Sequence, residues 1–272
     1  MSRGVPVLLY HAIGSSGAPG LAPFEIDRAG FAQHMLHLAR TRRTVIPLAE
    51  YAHALRSGDP TNLPDRPTVL TFDDGFANFM QAAEVMCAHG YPATLFVSTS
   101  HVAATSAWLS GVAQWQRMLT WADLAELVTM GIELGAHAHT HVALDEIDDL
   151  SIEREVRTSK HQLEDRLGRE VRGFAYPFGY SDRRVREKVE AAGYEYACAV
   201  KDSLSEPFDD PYAIARIFAP TIGNTDELER TLTCGNRRSR RHERVATKAW
   251  RTYRKVRARR TRGRGSVSAT PR

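Results

Sequence analysis

Short apolar runs rich in β-branched residues alternate with longer segments of helical period along most of this 272-residue chain, and that alternation restricts its fold more than any other feature. The runs VPVLLYH, TVIPL, TVLTFDDG, TLFVSTS, IELGAHA, GFAYPFG and YEYACAV are interleaved with FAQHMLHLARTRR, AEYAHALRSG, FMQAAEVMCAHG, TWADLAELVTMG, LSIEREVRTSKHQLEDRLG and DRRVREKVEAAG. Strands joined by helices pair in parallel, so βα units around one sheet are expected. Gly90, Gly131, Gly168 and Gly193 fall where those helices should end, as residues that take the left-handed conformation closing a last turn do. A stretch holding Trp108, Trp115 and Trp121 is the least regular part.

A doubly wound sheet and a closed barrel share this alternation. The chemistry-bearing residues separate them, because His11, the pair Asp73 and Asp74, His137 and Tyr176 each follow a different expected strand. An α/β barrel gathers its active site from several strand ends at once. The expected fold is therefore a distorted (β/α) barrel followed by a basic C-terminal tail.

The formal net charge of +4 conceals a division. From Arg237 onward there are 15 Lys and Arg against one acid, Glu243, leaving 21 basic and 31 acidic residues before it; the body is net −10 and the tail net +14. Residues 1–235 are read as the folded domain and 236–272 as a tail, partly helical or disordered. Within the tail Val245, Ala249, Tyr253 and Val256 recur at helical spacing among basic side chains, the pattern of a basic amphipathic helix. Such a segment suits an anionic membrane surface, and nucleic acid is not expected as a partner. Cys87, Cys198 and Cys234 are odd in number and far apart, which argues for reduced thiols. The apolar run VPVLL is too short for a signal-peptide core, so a cytoplasmic protein is expected, peripheral to the inner membrane face if the tail binds there.

Two clusters carry chemistry. Asp73 and Asp74 end TVLTFDDG, and if strand alternation persists their side chains point apart, leaving one to bind metal while the other stays free. In GAHAHTH three histidines, His137, His139 and His141, alternate directly after a strand; two of them with one carboxylate make a three-ligand open metal site. The run GFAYPFG adds a rigid aromatic turn whose backbone amides are able to face a bound oxygen.

Together these segments resemble the polysaccharide deacetylases of the NodB-homology type, carbohydrate esterase family four, from about Val5 to about Pro220. YHAIG, the FAQHMLHLARTRRTVIPLAEYAHAL unit, GYPATLFV and the late Arg216 in IARIF resemble the exopolysaccharide deacetylase branch. The resemblance implies that Asp73 is the catalytic base, that Asp74, His137 and His141 hold the metal with His139 left out, and that Tyr176 and Pro177 form the oxyanion and substrate turn through the Tyr176 amide. It departs at Ala138, where the family has a hydroxyl residue, at Ala175, where it often has arginine, and in lacking the late Leu-x-His general acid. His161 on a charged helix and His242 in the tail do not replace that acid, which leaves His11. With Ala175 in place of arginine, Arg216 is expected to pair with Asp73 and keep it ionised.

The implied activity is metal-dependent removal of N-acetyl groups from N-acetylhexosamine-containing poly- or oligosaccharides, with zinc as the ion because two histidines and one carboxylate favour it. The same donors would serve a hydrolase of another amide or ester. A non-catalytic sugar-binding or nucleic-acid-binding protein is the alternative from another class.

Overall fold

The structure is a computed structural model that describes residues 4–14 and 17–235. Its elements run β1 (Val7–Tyr10), β2 (Ala12–Ile13), β3 (Glu25–Ile26), α1 (Arg28–Arg40), β4 (Thr44–Val45), α2 (Leu48–Ser57), β5 (Pro67–Phe72), α3 (Phe79–His89), β6 (Thr94–Val97), α4 (Trp121–Thr129), β7 (Glu133–Ala136), α5 (Asp149–Leu167), β8 (Gly173–Ala175), α6 (Arg183–Ala191), β9 (Tyr196–Val200), β10 (Ile214–Phe218) and α7 (Thr225–Cys234). The main sheet is parallel throughout, in the order β1-β10-β9-β8-β7-β6-β5-β4, and β1 also pairs with β5. That pairing closes seven of its eight strands into a barrel and leaves β4 outside, against β5. The expected barrel is what forms.

Each strand divides its side chains between two apolar layers. Val7, Val69, Phe96, Ala175, Cys198 and Ile214 pack inside the ring with Leu48, Tyr51 and Leu55 of α2, which plugs one end. The intervening residues Leu8, Leu70, Leu95, Leu134, Phe174 and Ala197 pack with the outer helices. Because both faces are buried, the strands read as continuous apolar runs rather than alternating ones.

The expected helices appear with their glycine ends: Gly90 and Gly168 cap α3 and α5 at φ 66° and 63°. Two elements differ from expectation. TVIPL yields only a two-residue strand, because Pro47 lacks an N–H and opens α2 instead. Helix α7 was not anticipated, since among its residues only Leu228, Thr231 and Leu232 are buried; its signal was the Asn224 cap, which accepts from the Asp226 and Glu227 amides. The basic tail lies outside the described residues. No helix among the described residues is long and apolar enough to cross a membrane.

Candidate active site

Continuing the inward alternation of β5, Val69 then Thr71, brings Asp73 to the open end of the barrel. Its amide donates to the Tyr10 carbonyl at 3.1 Å, extending the β1 pairing by one residue. Along β10 the same rule places Arg216 inside after Ile214, and it is fully buried. Its guanidinium donates to both Asp73 oxygens, at 2.6 and 2.7 Å, and lies 5.5 Å over the Phe96 ring. Burial pushes the Asp73 carboxyl up, but Arg216 and then His137 outweigh it, holding the group below the usual carboxylate value.

Asp74 does not point away from Asp73 as strand alternation would have it. The chain leaves the sheet there: Asp74 has φ 74° and Gly75 φ 88°, two successive left-handed residues of which only glycine takes the conformation freely. The turn swings the Asp74 carboxylate into the same mouth, where Oδ1 lies 3.5 Å from His137 Nε2 and 3.1 Å from His141 Nε2. The two histidines meet because Ala138 (φ 61°) and His141 (φ 58°) coil the segment between them. Glu155 of α5 holds that coil by accepting from the His139 and Thr140 amides at 2.9 and 2.7 Å.

The donor atoms of Asp74, His137 and His141 lie within 4.8 Å of one another, and all three residues are buried. Asp74 Oδ1 is enclosed, and apart from the 3.1 Å approach of His141 Nε2 it has no partner among the described residues that satisfies hydrogen-bond geometry. His137 Nδ1 donates to the Ala175 carbonyl at 2.7 Å, which leaves the Nε2 lone pair free. Burial pushes the His137 imidazole down to about 4, so it is neutral, as a ligand must be. Two imidazoles and one carboxylate with an enclosed oxygen fit a divalent ion with an open position.

The mouth opens into a cavity of about 840 Å³ whose walls include Leu21, Phe24, Trp108, Phe178 and Phe218 beside the polar cluster, and no Lys or Arg among the described residues lines it. His11 is in that wall, between the rings of Phe24 and Phe218 at 5.1 and 5.9 Å, and burial lowers its pKa against the raising effect of Asp74 and Asp73. Tyr176 and Pro177 were expected to form the oxyanion and substrate turn. The Tyr176 amide donates to the Cys198 carbonyl at 3.1 Å, as a ladder bond between neighbouring strands, and its hydroxyl donates to the Tyr212 carbonyl at 2.8 Å. Phe178, Gly179 and Tyr180 reach the cavity instead.

His139 faces away and pairs with the Thr99 hydroxyl at 2.9 Å, while His161 is exposed on α5. The three cysteines are free thiols. Trp108, Phe178 and Glu155 were not foreseen at the site. Trp108 had a signal as one of the tryptophans in the irregular stretch, and Phe178 as part of the aromatic turn GFAYPFG; Glu155 had none.

A closed parallel barrel carrying a carboxylate–histidine–histidine cluster and a paired acidic neighbour defines a metallohydrolase-type site. A family model for polysaccharide deacetylases matches residues 61–197, half of the chain, and the chain belongs to that family. It is a hydrolase that removes acetyl groups from polysaccharide. Its fold is similar to the Streptococcus pyogenes deacetylase PplD (19% identity, 85% of this chain and 99% of that one, TM-score 0.72). It is also similar to IcaB from Ammonifex degensii (21%, 85% and 96%, TM-score 0.71) and to a polysaccharide deacetylase from Bacillus cereus (24%, 85% and 69%, TM-score 0.69). No curated protein sequence matches it.

Proposed function

We propose that the chain hydrolyses the acetamide of N-acetylhexosamine units with Asp73 as base, beside a zinc ion held by Asp74, His137 and His141. The observation that carries this reading is the division of labour between two adjacent carboxylates. Asp73 is held by Arg216 through both oxygens, whereas Asp74 keeps an enclosed oxygen beside two imidazoles. When bound, the ion supplies a Lewis acid for the acetamide carbonyl and lowers the pKa of a coordinated water.

Asp73 takes the proton from the attacking water. The pairing that keeps it ionised also makes the protonated form a ready donor, so Asp73 can return the same proton to the departing amine. His11 also lines the cavity, but burial lowers its pKa, so its neutral ring would first have to take up a proton before it could serve as the donor in that transfer. The Tyr176 amide is not assigned to the oxyanion, because Cys198 already engages it.

The PplD structure was solved with acetate, the product that deacetylation releases, and the family model is that of polysaccharide deacetylases, which together support an acetylated glycan as substrate. A cavity lined by acids and apolar rings, without Lys or Arg among the described residues, favours a neutral glycan over an anionic one. We also read residues 1–235 as the catalytic domain and the +14 stretch beyond as a tether to an anionic membrane surface, at the cytoplasmic face.

The test is acetate release from N-acetylglucosamine oligomers by the zinc-loaded chain, beside Asp73→Asn and beside oligomers carrying carboxylates. Release that disappears in Asp73→Asn, with zinc content unchanged and neutral oligomers preferred, supports the reading. Undiminished release by Asp73→Asn removes Asp73 as base.

A further inference from the structure

The two histidines of the cluster are oriented by different means. His137 is fixed by the hydrogen bond from Nδ1 to the Ala175 carbonyl, the usual way a ligand imidazole is held. His141 has no such bond: its Nδ1 is enclosed and without a hydrogen-bond partner among the described residues, and its backbone sits at φ 58°. Something else must set the ring.

Two aromatic rings flank it. Trp108 lies at 4.8 Å between centroids with planes 32° apart, and Phe178 meets it edge to face at 4.9 Å and 70°. Trp108 is backed on its other side by His101, at 4.5 Å. Its loop is pinned by an antiparallel bridge between Thr105 and Arg117 and by the Ser106 amide donating to the Gln116 carbonyl at 3.0 Å. Phe178 is held by the turn after Pro177, where Gly179 passes so close to Val200 that a Cβ would collide with it.

We propose that Trp108 and Phe178 form an aromatic vise that positions His141 as a metal ligand, in place of the hydrogen bond it lacks. The inference rests on the metal reading of the site given above. Trp108 is a positioning residue here, acting through His141. A flat ring face restricts rotation about the last side-chain bond of an imidazole, whereas an aliphatic group of similar bulk fills the space without selecting a plane. The vise therefore sets metal affinity and ligand geometry, beyond walling the cavity.

The experiment uses the full chain, stripped of metal and titrated with cobalt(II) or zinc against a chromophoric chelator. Wild type is compared with Trp108→Leu, Trp108→Phe, His141→Asn and, as a surface control, Trp115→Ala, all checked by thermal melting. Expected are an affinity loss of roughly 10–100-fold in Trp108→Leu, the size typical of removing a ligand's supporting group, and a changed cobalt absorption spectrum. Trp108→Phe should recover most of both, and Trp115→Ala should change neither.

Wild-type affinity and spectrum in Trp108→Leu, or equal losses in the Leu and Phe variants, would overturn the vise while leaving the metal site standing. A wild type that takes up no metal, or a His141→Asn variant that binds as tightly as wild type, would overturn the metal reading and the vise with it.

Discussion

The Arg216–Asp73 pair concentrates the most electrostatic consequence in the fewest atoms. Both groups are out of water, so removing one partner leaves a bare buried charge, a change that typically costs about 3–5 kcal/mol. Arg216→Gln should therefore lower the urea midpoint, and its acid limb of kcat/KM should move to higher pH, because Asp73 then loses the cation holding its carboxyl down. Asp73 is depressed below the ordinary 3.8, so the pair's stabilisation is present above that pH and fades as pH falls through the folded-state value. The gap between wild type and variant should thus narrow in acid; a gap that stays constant with pH would show that the loss is packing alone. Arg216→Lys should rescue little, since an ammonium does not match two carboxylate oxygens at once. The Asp73–Asp74 pair and the histidine cluster were legible because each sits within a few residues of sequence. Their orientation was not, because two left-handed residues at 74 and 75 override the strand period. The Tyr176 amide was misjudged for a related reason: its partner, the Cys198 carbonyl, belongs to a different strand, which no local pattern discloses.

At the scale of elements, the barrel's interior is fitted by pairing a glycine on one strand with a ring on the next. Gly135 of β7 lies against Phe96 of β6, and Gly173 of β8 against Tyr196 of β9; a Cβ at either would run into ring carbons. Phe96 is fully buried and is also the ring beneath the Arg216 guanidinium. Gly135→Ala should then act twice, destabilising by about 1–3 kcal/mol through overpacking and lowering kcat by displacing Phe96 and with it the Arg216–Asp73 pair. Chemical denaturation and steady-state kinetics on one preparation check both, and a variant that loses stability with kcat intact would show that Phe96 does not transmit to the site. Seven of the ten strands and six of the helices were readable from apolar period and glycine ends, while β2, β3 and β10 were not among the expected runs. Helix α7 escaped because so few of its side chains are buried, and β4 was overestimated because the proline that ends it also starts a helix.

At the scale of the whole molecule, charge is the unresolved asymmetry. A body of net −10 would be repelled by an anionic surface, whereas a tail of net +14 would be drawn to it, and the two act over different ranges. Physiological salt screens exposed charges beyond about 8 Å, so a basic segment that reaches the surface feels attraction while the domain held further off feels little repulsion. Each basic residue near an anionic leaflet contributes about 1 kcal/mol, enough for the tail to outweigh the body if only part of it engages. The chain should therefore sediment with phosphatidylserine-containing vesicles at low salt and not with neutral ones, and binding should fall steeply as salt rises. Replacing a block of tail arginines by serine should abolish sedimentation without changing turnover of a soluble neutral oligomer, because among the described residues the site ends at Phe218. Binding that survives high salt or appears equally on neutral vesicles would instead assign the contact to apolar residues, such as the exposed Phe24 and Phe178 at the cavity mouth.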